Sequence, residues 1–186
     1  MSVNLSGKQL TQTDLIEQIQ NTLRQTGLNP TCLRLEITES VVMDNAELAT
    51  NTLLQLRKLG VHLSIDDFGT GYSSLSYLHR FPVNTLKIDR SFIGRMANGD
   101  ENSEIVRTIC TLANNLGMEV VAEGVETREQ LEQLRSLKCE YGQGFFFSRP
   151  LDAEDATALL LNNPSNQNYL SVDPLTVLEQ VTSFVN

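Results

Sequence analysis

The chain has 186 residues, 40% of them hydrophobic and 20% charged, with a formal net charge of -9 and a sequence pI of about 4.7. This describes one globular domain with its own core, and it excludes general affinity for the DNA or RNA backbone, which needs an excess of Lys and Arg. Cys32, Cys110 and Cys139 have no paired spacing, which excludes a disulfide scaffold, fits a reducing cytoplasm and makes small buried apolar residues of all three.

No run approaches the roughly 18 apolar residues of a membrane span, and the N-terminus has no basic segment followed by an apolar run. The chain opens on a strand, MSVNL. A helix is predicted from about Thr13 to Arg24, with Leu15, Ile19 and Leu23 on one face. A strand follows over Cys32 to Thr38. Asp44 and Glu47 then form a capping-box pattern ahead of a stripe of Leu48, Leu53, Leu56 and Leu59, stopped by Gly60. Val61 to Asp66 reads as a strand running into a Gly-rich loop, with a short helix from Ser74 to His79 and another strand from Thr85. Ile105, Ile109, Leu112 and Leu116 recur at helical spacing up to Gly117. The strand MEVVAEG, a helix capped by Thr127 and Gln130, the strand opening YGQGFFFSRPL and a helix capped by Asp152 complete the pattern.

This β–α alternation predicts a parallel sheet with crossover helices. Six strands can be placed, whereas a closed (β/α)8 barrel needs eight strands and about 250 residues. The expected fold is therefore an incomplete TIM-barrel-like (β/α)8 fold lacking its first two strands. Residues 163–186 are predicted to form a polar linker and a short helix, capped by Asp173 with Pro174 at its first position. The domain proper is then 1–162.

Nearly every strand ends in a carboxylate, amide or ammonium group: Asn4, Glu36, Asp66 with Asp67, Lys87, Glu123 and Gln143. Parallel barrels build their sites at the C-terminal ends of their strands, so these groups are expected to share one mouth. Clustered carboxylates repel unless something positive sits among them, and oxygen donors of this kind suit Mg2+ or Mn2+. Adjacent aspartates can serve two metals, the usual clamp for phosphoester hydrolysis. Taken singly, Asp66 or Asp67 could cap a turn, Lys87 could pair with Asp89, Arg90 reads as a surface residue or one supporting the site from behind, and Glu39 and Glu126 as solvated loop residues.

Five segments together resemble the EAL family of cyclic-di-GMP-specific phosphodiesterases. They are VNLSGKQL from Val3, LRLEITES from Leu33, IDDFGTGYSSLSYLHRFPVNTLKIDRSFI from Ile65, VVAEGVET from Val120 and YGQGFFFSRPL from Tyr141, in the family's order and spacing over about residues 1–160. The resemblance implies a barrel with one antiparallel strand among eight, and hydrolysis of cyclic di-GMP to linear pGpG with two Mg2+ or Mn2+ ions. It implies Asn4, Glu36, Asp66, Asp67 and Glu123 as metal ligands, with Asp66 shared between the ions. Lys87 matches the lysine that orients the attacking water, and Gln143 a residue that positions it. Glu39 matches the glutamate that holds the Gly-rich loop, and Glu126 a supporting residue beside Glu123.

The family's Glu-Ala-Leu segment and the arginine after it are expected upstream of Asn4, and the chain begins on the strand of Asn4. With that ligand gone, weaker metal affinity is expected. Strand edges beside the gap invite a second copy of the chain, unless the tail covers them. The alternative to an enzyme is a degenerate module that binds cyclic di-GMP or a protein without cleaving, or a fragment with no function of its own. The resemblance further implies upstream sensory or GGDEF domains; the acidic charge speaks against DNA or RNA as partner, and the cysteine usage predicts a cytoplasmic location, within a parent protein that could be membrane-anchored.

Overall fold

The structure, a computed structural model, describes residues 1–71, 75–96 and 101–162. Its elements run in chain order as β1 (Ser2–Asn4), α1 (Gly7–Leu10), α2 (Leu15–Thr26), a 3-10 turn at Pro30–Cys32, β2 (Arg34–Thr38), α3 (Glu39–Asp44) and α4 (Ala46–Lys58). They continue as β3 (His62–Phe68), α5 (Leu75–Leu78), β4 (Thr85–Ile88), α6 (Arg90–Ile93), α7 (Glu101–Leu116), β5 (Glu119–Glu123), α8 (Arg128–Ser136), β6 (Tyr141–Gln143) and α9 (Ala153–Asn162). The six strands form one sheet in sequential order, and all five neighbouring pairs are parallel. The sheet curls into part of a TIM-barrel-like fold, as the β–α alternation predicts.

Register divides the sheet chemically. Leu35 and Ile37 align with Leu63 and Ile65, and Ile65 with Leu86 and then Val120. These residues pack with Leu53 and Leu56 of α4, Val106 of α7 and Leu134 of α8 in one apolar cluster. Side chains alternate along a strand, so the intervening residues face the opposite, concave side. On that side Asn4, Glu36, Ser64, Thr85 and Glu119 lie side by side. The helical face is thus uniformly apolar and the inner face largely polar, and that division positions the site.

Several expectations need correction. Asp44 closes α3; it does not cap α4, whose N-cap is Asn45, with its side-chain oxygen accepting from Leu48 N at 3.2 Å. Leu48 is consequently exposed, and Ala46 and Ala49 fill the buried stripe with Leu53 and Leu56. Cys110 and Cys139 are buried, but Cys32 is exposed in the 3-10 turn, because Pro30 delays the strand to Arg34. The boxes at Thr127/Gln130 and the cap at Asp152 form as predicted. The linker and helix expected over 163–186, including Asp173 and Pro174, lie outside the described residues.

Candidate metal and phosphoester site

All strands run the same way, so the ends of β2 to β6 open on one mouth. Lys87, second from the end of β4, is 4% exposed. Its Nζ lies 2.7 Å from Glu36 Oε2, 3.0 Å from Asp66 Oδ1 and 2.5 Å from Glu123 Oε1. Residues from four adjacent strands therefore converge on one ammonium group. Burial works to lower the Lys87 pKa, but Glu123, Glu36 and Asp66 outweigh it and hold the group protonated far above neutral pH. Glu123 is shifted upward by burial, with Asp66 and Glu36 adding to the shift and Lys87 opposing it.

An ordinary strand would send Asp66 and Asp67 to opposite faces. Here the β3–β4 register shifts between Ile65 and Phe68, a bulge that adds one residue on β3. Asp67 takes a left-handed conformation with φ of 53°, and its N–H donates to Asp66 Oδ1 at 3.2 Å. The bulge lets both carboxylates approach Glu123: one oxygen from each of Asp66, Asp67 and Glu123 lies within 4.8 Å of the others. Burial, then the charges of Asp66 and Asp89, raise the Asp67 pKa. A compact all-oxygen donor set, two of whose members, Asp66 and Glu123, already pair with one cation, fits a hard divalent ion.

The remaining predicted residues distribute around this centre. Asn4 is exposed at the end of the edge strand β1, aligned with Glu36. Gln143 aligns with Glu123 and shares a pocket of about 190 Å3 with it, Arg90, Glu126 and Phe145. That alignment is set by Gly144, where any side chain would overlap the backbone of Val125. Glu126 lines this pocket and is not among the converging carboxylates. Glu39 lies apart from the cluster, only 1% exposed, and its Oε2 accepts from Gly69 N at 2.9 Å and Gly71 N at 3.4 Å. It therefore ties the Gly-rich loop to the start of α3. Replacing Glu39 with Ala strands these amides at about 1–3 kcal/mol each. The expected result is a melting temperature lower by at least about 5 °C and faster hydrogen exchange at 67–71.

Arg90 reads from the sequence as a surface or supporting residue. It is exposed, but it borders the same pocket as Glu123 and Gln143. The signal available was its place directly after the β4 strand end, at the rim where the site forms.

The chain matches the family model described as EAL domain over residues 1–150. Among curated proteins it is 47% identical over 151 residues to the cyclic di-GMP phosphodiesterase NbdA of Pseudomonas aeruginosa, covering 81% of this chain and 19% of that one. Among solved structures it superposes on the PaMucR phosphodiesterase in complex with c-di-GMP with a TM-score of 0.81 and 46% identity, covering 83% of this chain and 68% of that chain. The manganese/cy-diGMP complex of BlrP1 from Klebsiella pneumoniae matches at a TM-score of 0.74 and 35% identity, covering 80% and 38%. The chain spans about a fifth of the length of the curated relatives it matches, 19–22% for the first three.

Proposed function

The chain belongs to the EAL domain family, and from that premise we propose that its acidic mouth hydrolyses cyclic di-GMP to linear pGpG. The observation that carries this reading is the meeting of Asp66, Asp67 and Glu123 within 4.8 Å beside a buried, triply paired Lys87. The similarity to NbdA and to the c-di-GMP complex of PaMucR supports the substrate.

Asn4, Glu36, Asp66, Asp67 and Glu123 would hold two Mg2+ or Mn2+ ions, with Asp66 common to both; the BlrP1 manganese complex supports the choice of metal. When bound, such a pair supplies Lewis-acid polarisation of the phosphodiester and acidifies water. The chain's own groups do the rest. Lys87 stays protonated, so it acts as a hydrogen-bond donor and positive charge at Nζ, orienting the attacking water and offsetting developing charge; it is not the base. Glu123, at the end of β5 beside Lys87 Nζ, would link the metal-holding carboxylates to that ammonium group. Gln143, beside it in register, presents an amide that positions the water. Glu39 holds the loop that follows Asp67, and Glu126, on the wall of the pocket that Glu123 also lines, takes a supporting role beside it.

The bifunctional diguanylate cyclase/cyclic di-GMP phosphodiesterase MucR, 46% identical over 158 residues, supports a setting beside a cyclase (GGDEF) domain. Among the described residues no helix is long and apolar enough to cross a membrane. Among the described residues β1 and β6 are the outermost strands of the sheet, and a homodimer would pair along such an edge.

The test is chromatographic analysis of cyclic di-GMP incubated with the purified chain and Mn2+ or Mg2+. Appearance of pGpG supports the hydrolase. Tight binding of cyclic di-GMP without product replaces it with the binding-module reading.

A further inference from the structure

The mouth holds a second cation to which the reading above gives no task. Arg90 opens α6 immediately after Asp89. Its side chain is exposed and makes no hydrogen bond or ion pair with another described residue. Lys87, by contrast, is enclosed by three carboxylates. The rim otherwise carries Asp67, Asp89, Glu123 and Glu126, and the influence of Arg90 reaches the Asp67 carboxylate. An anionic substrate approaching this acidic rim therefore meets in Arg90 a positively charged side chain that lies near Asp67 and Asp89 but makes no direct hydrogen bond or ion pair with a described residue.

The base of that side chain is held in place. A Cβ at Gly124 would lie 2.5 Å from the Arg90 Cβ and 3.3 Å from its Cα, and Gly124 itself sits at φ of 73°, so glycine is required there twice over. The turn after Glu123 is thus packed directly against Arg90. This leaves the guanidinium as the adjustable part, bordering the pocket of about 190 Å3 that Glu123 and Gln143 also line. Guanidinium groups bind phosphate through two parallel N–H donors, and an arginine does this better than a lysine.

We propose that Arg90 is a substrate-binding residue that pairs with the phosphodiester of the cyclic dinucleotide that is not being cleaved. This rests on the hydrolase reading for the site and deepens it. The carboxylate cluster, once it holds its divalent cations, would take one phosphate, and Arg90, at the rim, holds the other. Arg90 thereby favours substrates with two phosphodiesters over substrates with one.

The experiment compares the full chain with Arg90→Ala and Arg90→Lys, and with Arg107→Ala as a control that removes one exposed charge from α7. Cyclic di-GMP affinity is measured by calorimetry in Ca2+, Mn2+ affinity without nucleotide, and turnover in Mn2+ on cyclic di-GMP and on bis(p-nitrophenyl) phosphate, which has one phosphodiester. Arg90→Ala is expected to weaken cyclic di-GMP binding about tenfold or more, appearing in KM rather than kcat, with partial rescue by Lys. The loss on the single phosphodiester should be about tenfold smaller, and Arg107→Ala should match the parent. Equal cyclic di-GMP affinity in Arg90→Ala and the parent, or equal losses on both substrates, overturns the assignment. A parent chain that binds cyclic di-GMP but cleaves neither substrate sinks the hydrolase reading alone, since the calcium binding comparison still decides Arg90. A parent that does not bind cyclic di-GMP overturns both.

Discussion

Asp66→Ala is expected to lower Mn2+-dependent cleavage of cyclic di-GMP at least about 1,000-fold, roughly 4 kcal/mol of transition-state stabilisation. The size follows from where Asp66 stands. Like Glu123, it belongs both to the group around Lys87 and to the carboxylate triad with Asp67. Its Oδ1 also accepts from the Asp67 N–H, so it fixes the bulge that brings its neighbour to the mouth. One substitution therefore removes a proposed shared ligand, releases the second carboxylate and leaves Lys87 held by Glu36 and Glu123 alone. The fold should survive, because those two partners still pair the buried ammonium. Matching circular dichroism melts together with lost product would separate chemistry from folding. A variant that keeps its activity would remove Asp66 from the mechanism and, with it, the two-ion reading.

Much of this was legible in the sequence because the fold is periodic. Apolar runs broken at regular intervals by helical stripes specify parallel strands, and polar residues at strand ends specify a mouth. That argument places Glu36, Asp66, Lys87 and Glu123 together without coordinates, and they do converge. What the pattern could not show was geometry that departs from the period. Alternation alone would point Asp66 and Asp67 apart; the β-bulge and the positive φ at Asp67 reverse this, and neither has a sequence signature beyond the following glycine. The cap of α4 fell on Asn45 because α3 occupies residues up to Asp44, a short helix that local propensity does not announce. The packing of Gly124 against Arg90 is of the same kind, a contact across 34 residues of chain that no local pattern encodes.

Lys87→Met tests the electrostatic core of the site directly. The ammonium is buried and balances three carboxylates, so its removal leaves buried anions without a counter-charge. Breaking a buried ion pair by removing one partner costs about 3–5 kcal/mol. For a domain of this size that corresponds to a melting temperature lower by roughly 10 °C in chelator. The sign of the pH dependence is also fixed. Glu123 already has a folded-state pKa above its usual value, with Lys87 among the influences holding it down. Without Lys87 that pKa rises further, and the folded state binds more protons than the unfolded one. A raised carboxylate contributes stability that is full below the unfolded value and is lost as pH rises through the folded one. The chelated variant should therefore melt closer to the parent at pH 5 than at pH 8. Added Mn2+ should restore stability at pH 8, because a divalent ion supplies the missing positive charge to the same oxygens, even though turnover stays low for want of the water-orienting donor. A loss of stability that is equal at both pH values and indifferent to Mn2+ would mean that Lys87 acts by packing alone and that the carboxylates do not share one electrostatic site.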